Sequence, residues 1–246
     1  MYRSCYEKIF AGKWEDYDAW LADPHIDANM DLYATGSSCS CWRSMQGWLS
    51  LSHTGTGEGT LRILPTLKAS TAYMMLQPFF VEGPDSFDDI TPTFPGATPG
   101  KTQFYPTTKH HPHLALDKAM VGIPPVKPGD YVFWHADLAH EVDKFHPGTC
   151  DSSVAYVACT PLTPYNISSL ISTRQSFNQA TPPVDFGAFL EEEENQHEDH
   201  GARKENILTS AGMKAMGFEP FNAEAEGLTD GQRAVRAMAN ERLGLR

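Results

Sequence analysis

The densest set of chemistry-bearing side chains in this 246-residue sequence runs from Asp130 to His140, PGDYVFWHADLAH with its leading Pro-Gly. His135, Asp137 and His140 follow a short apolar run that begins after the turn Lys127-Pro128-Gly129-Asp130. Two imidazoles and a carboxylate on one face, with positions left open for a bidentate cosubstrate and oxygen, make the donor set of a non-haem iron(II) facial triad. Side chains alternate along a strand, so His135 and Asp137 would share a face if the strand continued, and His140 would need a bend to join them. A plainer arrangement fits the same spacing: His135 and Asp137 form a local hydrogen-bonded pair, and one residue or none meets a metal.

A second H-x-D occurs at His25-Ile26-Asp27, well before His140, which is the usual order of an H-x-D pair followed by a lone histidine. It follows Asp23-Pro24, however, where Asp27 also suits a turn. Cys39-Ser40-Cys41 would hold a metal only with further ligands, and small residues on a strand edge are the simpler account of it. His197 and His200 lie in the acidic run EEEENQHEDH, where a solvated linker is the simpler reading. His53, His110, His111 and His113 could contact a substrate or be polar surface. Gly55, Gly57 and Gly59 are not followed by Lys-Ser or Lys-Thr, so they do not make a phosphate loop.

The elements that must position these residues are mostly short. YEKIFAGKWEDYDAWL starts as a helix before Gly12 and gives way to a loop at Asp23-Pro24. Gln46 to Ser52 alternates, with Leu49 and Leu51 on one face and Trp48, Ser50 and Ser52 on the other. Trp48 and Gln46 are candidates for a cavity wall, although a tryptophan on a central strand also suits the core. The glycine turn TGTGEG makes Thr60 to Leu64 the natural hairpin partner of that strand. TLKASTAYMML reads as a helix closed by Pro78. Val81 to His113, punctuated by Pro and Gly, reads as a long surface excursion bordering a pocket. Strands are expected at Ala119 to Ile123, Tyr131 to Trp134 and Ser153 to Cys159, and Thr229 with Gln232 has the spacing of a capping box at the start of an amphipathic helix. Many short strands with few helices suggest a β-sandwich or barrel.

The composition, 41% hydrophobic and 20% charged, is that of an ordinary globular chain. A formal charge of −12 argues against a nucleic-acid partner, since no basic patch offsets it. No apolar run approaches the roughly 20 residues that cross a bilayer, and the first residues lack the apolar block of a signal peptide. Five cysteines without C-x-x-C pairing suit reduced thiols, so a cytoplasmic protein is expected. The oligomeric state is not legible.

The stretches IFAGKWEDYD, CWRSMQGWLSLSHTGTGEGTL, TAYMMLQPFF, FPGATPG, HPHL, VKPGDYVFWHADLAHEV, DSSVAYVACTPLTPYN and RQSF resemble domain-of-unknown-function family 1479, relatives of the iron and 2-oxoglutarate dioxygenases. The resemblance implies a mainly β fold with peripheral helices, a double-stranded β-helix of the jelly-roll, cupin-like kind. It further implies Fe(II) and 2-oxoglutarate as cofactors and a small-molecule substrate. His140 takes the place of the distal histidine ligand, with Asp137 and His135 as residues that line the pocket or orient the ligands. The family's H-V-D-G-G-like motif falls before the segment that begins this chain, so the domain is expected to be incomplete at its N-terminus. Related dioxygenases place a basic residue near the strand that here begins at Ser153 and Tyr156, to pair with the distal carboxylate of 2-oxoglutarate. This chain has Asp151-Ser152-Ser153 there, so Arg43 and Arg174 are the candidate cations, with Ser153 as a further cofactor-binding candidate. The expected organisation is an oxygenase-like domain over 1–187, an acidic linker over 188–205 and a helical extension over 206–246.

Overall fold

The computed structural model describes residues 4–26, 28, 41–79, 104–182, 194–198 and 201–245. The reading of Asp27, of Cys39 and of most of the Val81 to His113 excursion therefore lies outside the described residues, as does His200. Contacts divide the chain into two compact units, one of Tyr2–Pro24 with Arg43–Cys159, the other of Met1, His25–Trp42 and Thr160–Arg246.

In the first of these, α1 (Glu7–Phe10) ends just before Gly12, whose φ of 73° lets the chain leave the helix without steric cost. Two antiparallel sheets follow. One has the order β4-β1-β6 and the other β3-β2-β5, with β1 at Met45–Ser50, β2 at Leu61–Ile63, β3 at Val121–Gly122, β4 at Tyr131–His135, β5 at His140–Val142 and β6 at Val154–Tyr156. Two helices, α2 (Leu67–Leu76) and α3 (Leu116–Ala119), lie between β2 and β3 in the chain.

The glycine turn does not make the expected hairpin. Both edges of β1 are already taken, by β4 in the register Trp48↔Val132 and by β6 in the register Trp48↔Tyr156, so the chain crosses to the other sheet before β2 begins. There β2 pairs with β3 and β5. The expected strand at Ala119 to Ile123 shrinks to two residues because Leu116–Ala119 is helical. β5, which carries His140, was not foreseen.

Trp48 and Trp134, with Val132 and Val154, meet Leu61 and Ile63 of the other sheet and Ile123 in one apolar cluster. The inward face of β1 is therefore that of Trp48 and Ser50, which are 4% and 1% exposed, while Leu51 is left 54% exposed. Trp48 is core. A second cluster gathers Cys5, Tyr6, Ile9, Tyr17 and Ala19 against α2, and a third joins Leu64, Met74 and Leu114 with Phe104, Tyr73 and Ala139 at its margin. β2 and β5 are also tied through charge: Arg62 Nη1 reaches Glu141 at 2.7 Å, its Nε lies 3.6 Å from Asp143, and its Nη2 donates to the Met120 carbonyl at 3.1 Å.

The described residues of the other unit are helical, with α4 (Asn166–Gln179), α5 (Ser210–Ala215) and α6 (Asp230–Leu243), and Ile167 of α4 meets Ala239 and Leu243 of α6 in its core. The capping box forms as expected: Gln232 N donates to Thr229 Oγ1 at 3.2 Å and Thr229 N to Gln232 Oε1 at 3.0 Å. Helices outweigh strands among the described residues, so the fold is a mixture of small antiparallel sheets and helices rather than mainly β. No helix among them is long and apolar enough to cross a membrane.

Gly47, on the central strand β1, pairs with Phe133. A Cβ there would collide with the Phe133 ring and lie 2.8 Å from the Val132 carbonyl oxygen. Gly47→Ala is expected to cost about 1–3 kcal/mol, the usual range for overpacking, read as a lower denaturant midpoint at unchanged slope. An unmoved midpoint would show that the ring swings away freely.

Candidate functional site

Consecutive residues of β4 point to opposite faces, and this separates the candidate ligands. Trp134 faces the inter-sheet cluster, where its Nε1 donates to Gln46 Oε1 at 3.0 Å. His135 faces the other way. Its Nε2 donates to the Ala19 carbonyl at 2.7 Å, its Nδ1 accepts from Asp137 N at 3.0 Å, and the Trp20 ring packs edge-on 4.9 Å away. A carbonyl oxygen only accepts and an amide N–H only donates, so His135 is the neutral Nε2–H tautomer with both ring nitrogens engaged. No lone pair is left for a metal.

The strand ends at His135. A turn closed by Leu138 N donating to the His135 carbonyl at 3.0 Å leads into β5. His135 and Asp137 therefore do not line one strand face; they make the local pair, through the Asp137 backbone. The Asp137 carboxylate instead accepts from Tyr6 Oη at 3.0 Å. Burial, and next the Asp137 charge, push the Tyr6 hydroxyl far above the ordinary tyrosine range, and the same two causes raise Tyr17. No local pattern announces this link, which spans 131 residues.

His140, the first residue of β5, pairs with Ile63 and stands 5.1 Å from the Trp134 ring, centroid to centroid. Its Nδ1 donates to the Leu138 carbonyl at 2.7 Å. In the neutral ring that bond selects the tautomer whose Nε2 carries the lone pair, and the side chain is exposed. His140 thus has a ring nitrogen without a hydrogen-bond partner among the described residues, and His135 has both of its nitrogens engaged.

The other candidates are scattered. Ser153 Oγ donates to Asp151, and its backbone N donates to Ser52 Oγ at 2.9 Å. Arg174 Nη1 donates to the carbonyls of Gly217 at 2.9 Å, just past α5, and Leu243 at 3.0 Å, the end of α6. Arg43, half-buried just before β1, makes no hydrogen bond or ion pair among the described residues. His25 stacks on Trp42, ring centroids 6.1 Å apart and planes within 7°. Among the described residues no group of three or more His, Cys, Asp or Glu comes together to hold a metal ion. Among the described residues His140 suits one position of an iron site, and the set is not brought together.

The raised Tyr6 and Tyr17 acidities have a stability consequence. Groups whose folded pKa is raised support the fold fully below the unfolded tyrosine value, near pH 10, and lose that support as pH rises above it, because the unfolded chain releases protons that the folded chain keeps. Stability is expected to fall above about pH 10, and to fall less steeply in Tyr6→Phe. Equal slopes in urea titrations of the two proteins between pH 9 and pH 11 would contradict the burial of the Tyr6 hydroxyl.

Comparison with known proteins gives the chain its relatives. The model of the family described as Gig2-like matches residues 1–218. The crystal structure of GlcNAc Inducible Gene 2, GIG2 (DUF1479), from Candida albicans is 42% identical with a TM-score of 0.87, over 99% of this chain and 54% of that one. A Salmonella typhimurium LT2 protein provisionally described as an oxidoreductase is 26% identical with a TM-score of 0.72, over 88% of this chain and 48% of its own. YbiU of Escherichia coli K12 is 27% identical over 186 residues, 75% of this chain and 42% of YbiU. The chain therefore spans about half the length of these relatives. On the family match and the Candida structure together, this chain belongs to the Gig2-like family.

Proposed function

We propose that this chain forms one wall of a non-haem iron, 2-oxoglutarate-dependent oxygenase site on a double-stranded β-helix, acting on a small molecule, with His140 as its contribution to the metal. The observation that carries the reading is the state of His140: a pinned Nδ1–H, an open Nε2 and an aromatic neighbour, Trp134, at the edge of the inter-sheet cluster. Imidazole nitrogens held this way are suited to metal ligation. The Salmonella relative's description as an oxidoreductase is in keeping with it.

In this reading iron and 2-oxoglutarate supply the oxidising chemistry, and the chain's own residues orient and exclude. Trp134, held by Gln46, shields one side of His140 from water. Arg43 is the cation available to meet a carboxylate with two parallel hydrogen bonds, since the Nη1 of Arg174 is engaged with the Gly217 and Leu243 carbonyls. His135 and Asp137 hold the turn that delivers His140 rather than touching metal. No reaction step is assigned to iron, because the described residues complete one ligand position.

A second reading is favoured by that incompleteness: a metal-free binding module of the same fold. Anaerobic iron(II) titration with 2-oxoglutarate, followed by succinate analysis, separates the two. The oxygenase reading expects iron uptake and succinate formation that fall at least tenfold in His140→Ala, while Arg174→Ala loses thermal stability without a selective effect on iron. Iron uptake that is absent, or indifferent to His140→Ala, would leave the binding module.

A further inference from the structure

We infer that Tyr6 is a positioning residue for His140, acting from the N-terminal segment through the turn that joins β4 to β5. The path is a set of linked hydrogen bonds. Tyr6 Oη donates to Asp137 Oδ2 at 3.0 Å, Asp137 N donates to His135 Nδ1 at 3.0 Å, and Leu138 N donates to the His135 carbonyl at 3.0 Å. The Leu138 carbonyl in turn accepts from His140 Nδ1 at 2.7 Å. The turn is thus gripped through the side chain of Asp137, and the carbonyl of the next residue is the one that holds the His140 ring.

The same N-terminal segment holds the start of the turn. The Ala19 carbonyl accepts from His135 Nε2 at 2.7 Å, and the Trp20 ring meets His135 edge-on at 4.9 Å. Tyr6, Ile9, Tyr17 and Ala19 belong to one apolar cluster with Ala72, and the Tyr6 and Tyr17 rings stand 5.9 Å apart. Tyr6 is 5% exposed and Ile9 0%, so the hydroxyl is delivered by a packed ring. Burial also keeps the phenolic proton in place, so Tyr6 acts as a donor. At the far end of the turn, Leu64 N donates to the Ala139 carbonyl at 2.9 Å and His140 pairs with Ile63. Both ends are anchored, and the Tyr6 bond is the tie on the middle.

An exposed imidazole can turn about its side-chain torsions and can carry its proton on either nitrogen. A carbonyl aimed at Nδ1 settles both, as the partners of metal-binding histidines do. Without the Tyr6 bond the Asp137 side chain is free to turn toward water, the Leu138 carbonyl loses its fixed direction, and the ring proton of His140 redistributes to Nε2, where it occupies the lone pair. The inference rests on the iron reading in calling His140 a ligand, whereas the clamp itself is measurable without metal.

Imidazole nitrogen NMR of the full chain without metal, at about pH 8.5 where an ordinary histidine is neutral, reads the His140 tautomer, with its signals assigned by their loss in His140→Ala. In the unsubstituted chain Nδ1 should have the shift of a protonated nitrogen and Nε2 that of a bare one. Tyr6→Phe and Asp137→Ala should each move both shifts toward the averaged values of a free imidazole. The double variant should move them no further than either alone, because both changes remove the same bond. Asp137→Asn, which retains an oxygen for Tyr6, should keep the original pattern. So should Ile9→Val, which loosens the same cluster without removing a hydrogen bond. Averaged shifts in the unsubstituted chain, an unchanged pattern in Tyr6→Phe and Asp137→Ala, or an equal response to Ile9→Val overturns the inference. Iron(II) affinity should fall about tenfold in Tyr6→Phe with His140 still in place. Shifts that move in a chain that takes up no iron uphold the clamp and reject the iron reading.

Discussion

Backbone alternation at the end of β4 sends Trp134 and His135 to opposite faces of one sheet, and the candidate site is arranged around that fork. The outward branch is closed: His135 is bound at both nitrogens, and the turn it anchors passes Asp137 to Tyr6. The inward branch is open, with Trp134 held by Gln46 and His140 arriving across the turn to stand against its ring. Three polar residues spaced within six positions thus do unlike things. One fastens, one accepts a buried phenol, and one keeps a lone pair outward.

What the sequence showed depended on how local the cause was. The capping box of α6, the glycine after α1 and the turn before β4 are decided by residues within four positions of each other, and each was readable. The hairpin expected from TGTGEG failed for a non-local reason, since β4 and β6 arrive from 80 or more residues later and occupy both edges of β1. Which face of β1 turns inward was equally hidden, because Leu49 with Leu51 and Trp48 with Ser50 both alternate properly. Arg174 is a candidate partner for a cosubstrate carboxylate by its sequence context alone, and its two carbonyl partners lie 43 and 69 residues away. His140 was named from its resemblance, but its tautomer could be known only from the Leu138 carbonyl.

The helical unit shows how few apolar residues can suffice when carbonyl groups are managed by side chains. Asn166 receives Trp42 N and donates to the carbonyls of Trp42 and Pro161, all at 2.8 Å. Asn240 brackets Phe221 in the same manner, from both N and O. Arg174 covers the last carbonyl of α6, at Leu243, and the Gly217 carbonyl in the turn that follows α5. Around Ile167, Ala239 and Leu243 the packing is modest, and these amide clasps supply the directionality that the small core does not.

Arg62 gives the opposite sheet an asymmetry of substitution. Its guanidinium meets Glu141, Asp143 and the Met120 carbonyl with three different nitrogens, so it ties β5 and the segment leading into β3 to β2 at once. A lysine has the same charge, but its three donors share one nitrogen, which cannot stand beside all three acceptors as the separate nitrogens of the guanidinium do. A lineage drifting at this position would therefore find the ordinary exchange of one basic residue for another closed, and relaxing it would first loosen the short strand on which His140 is carried.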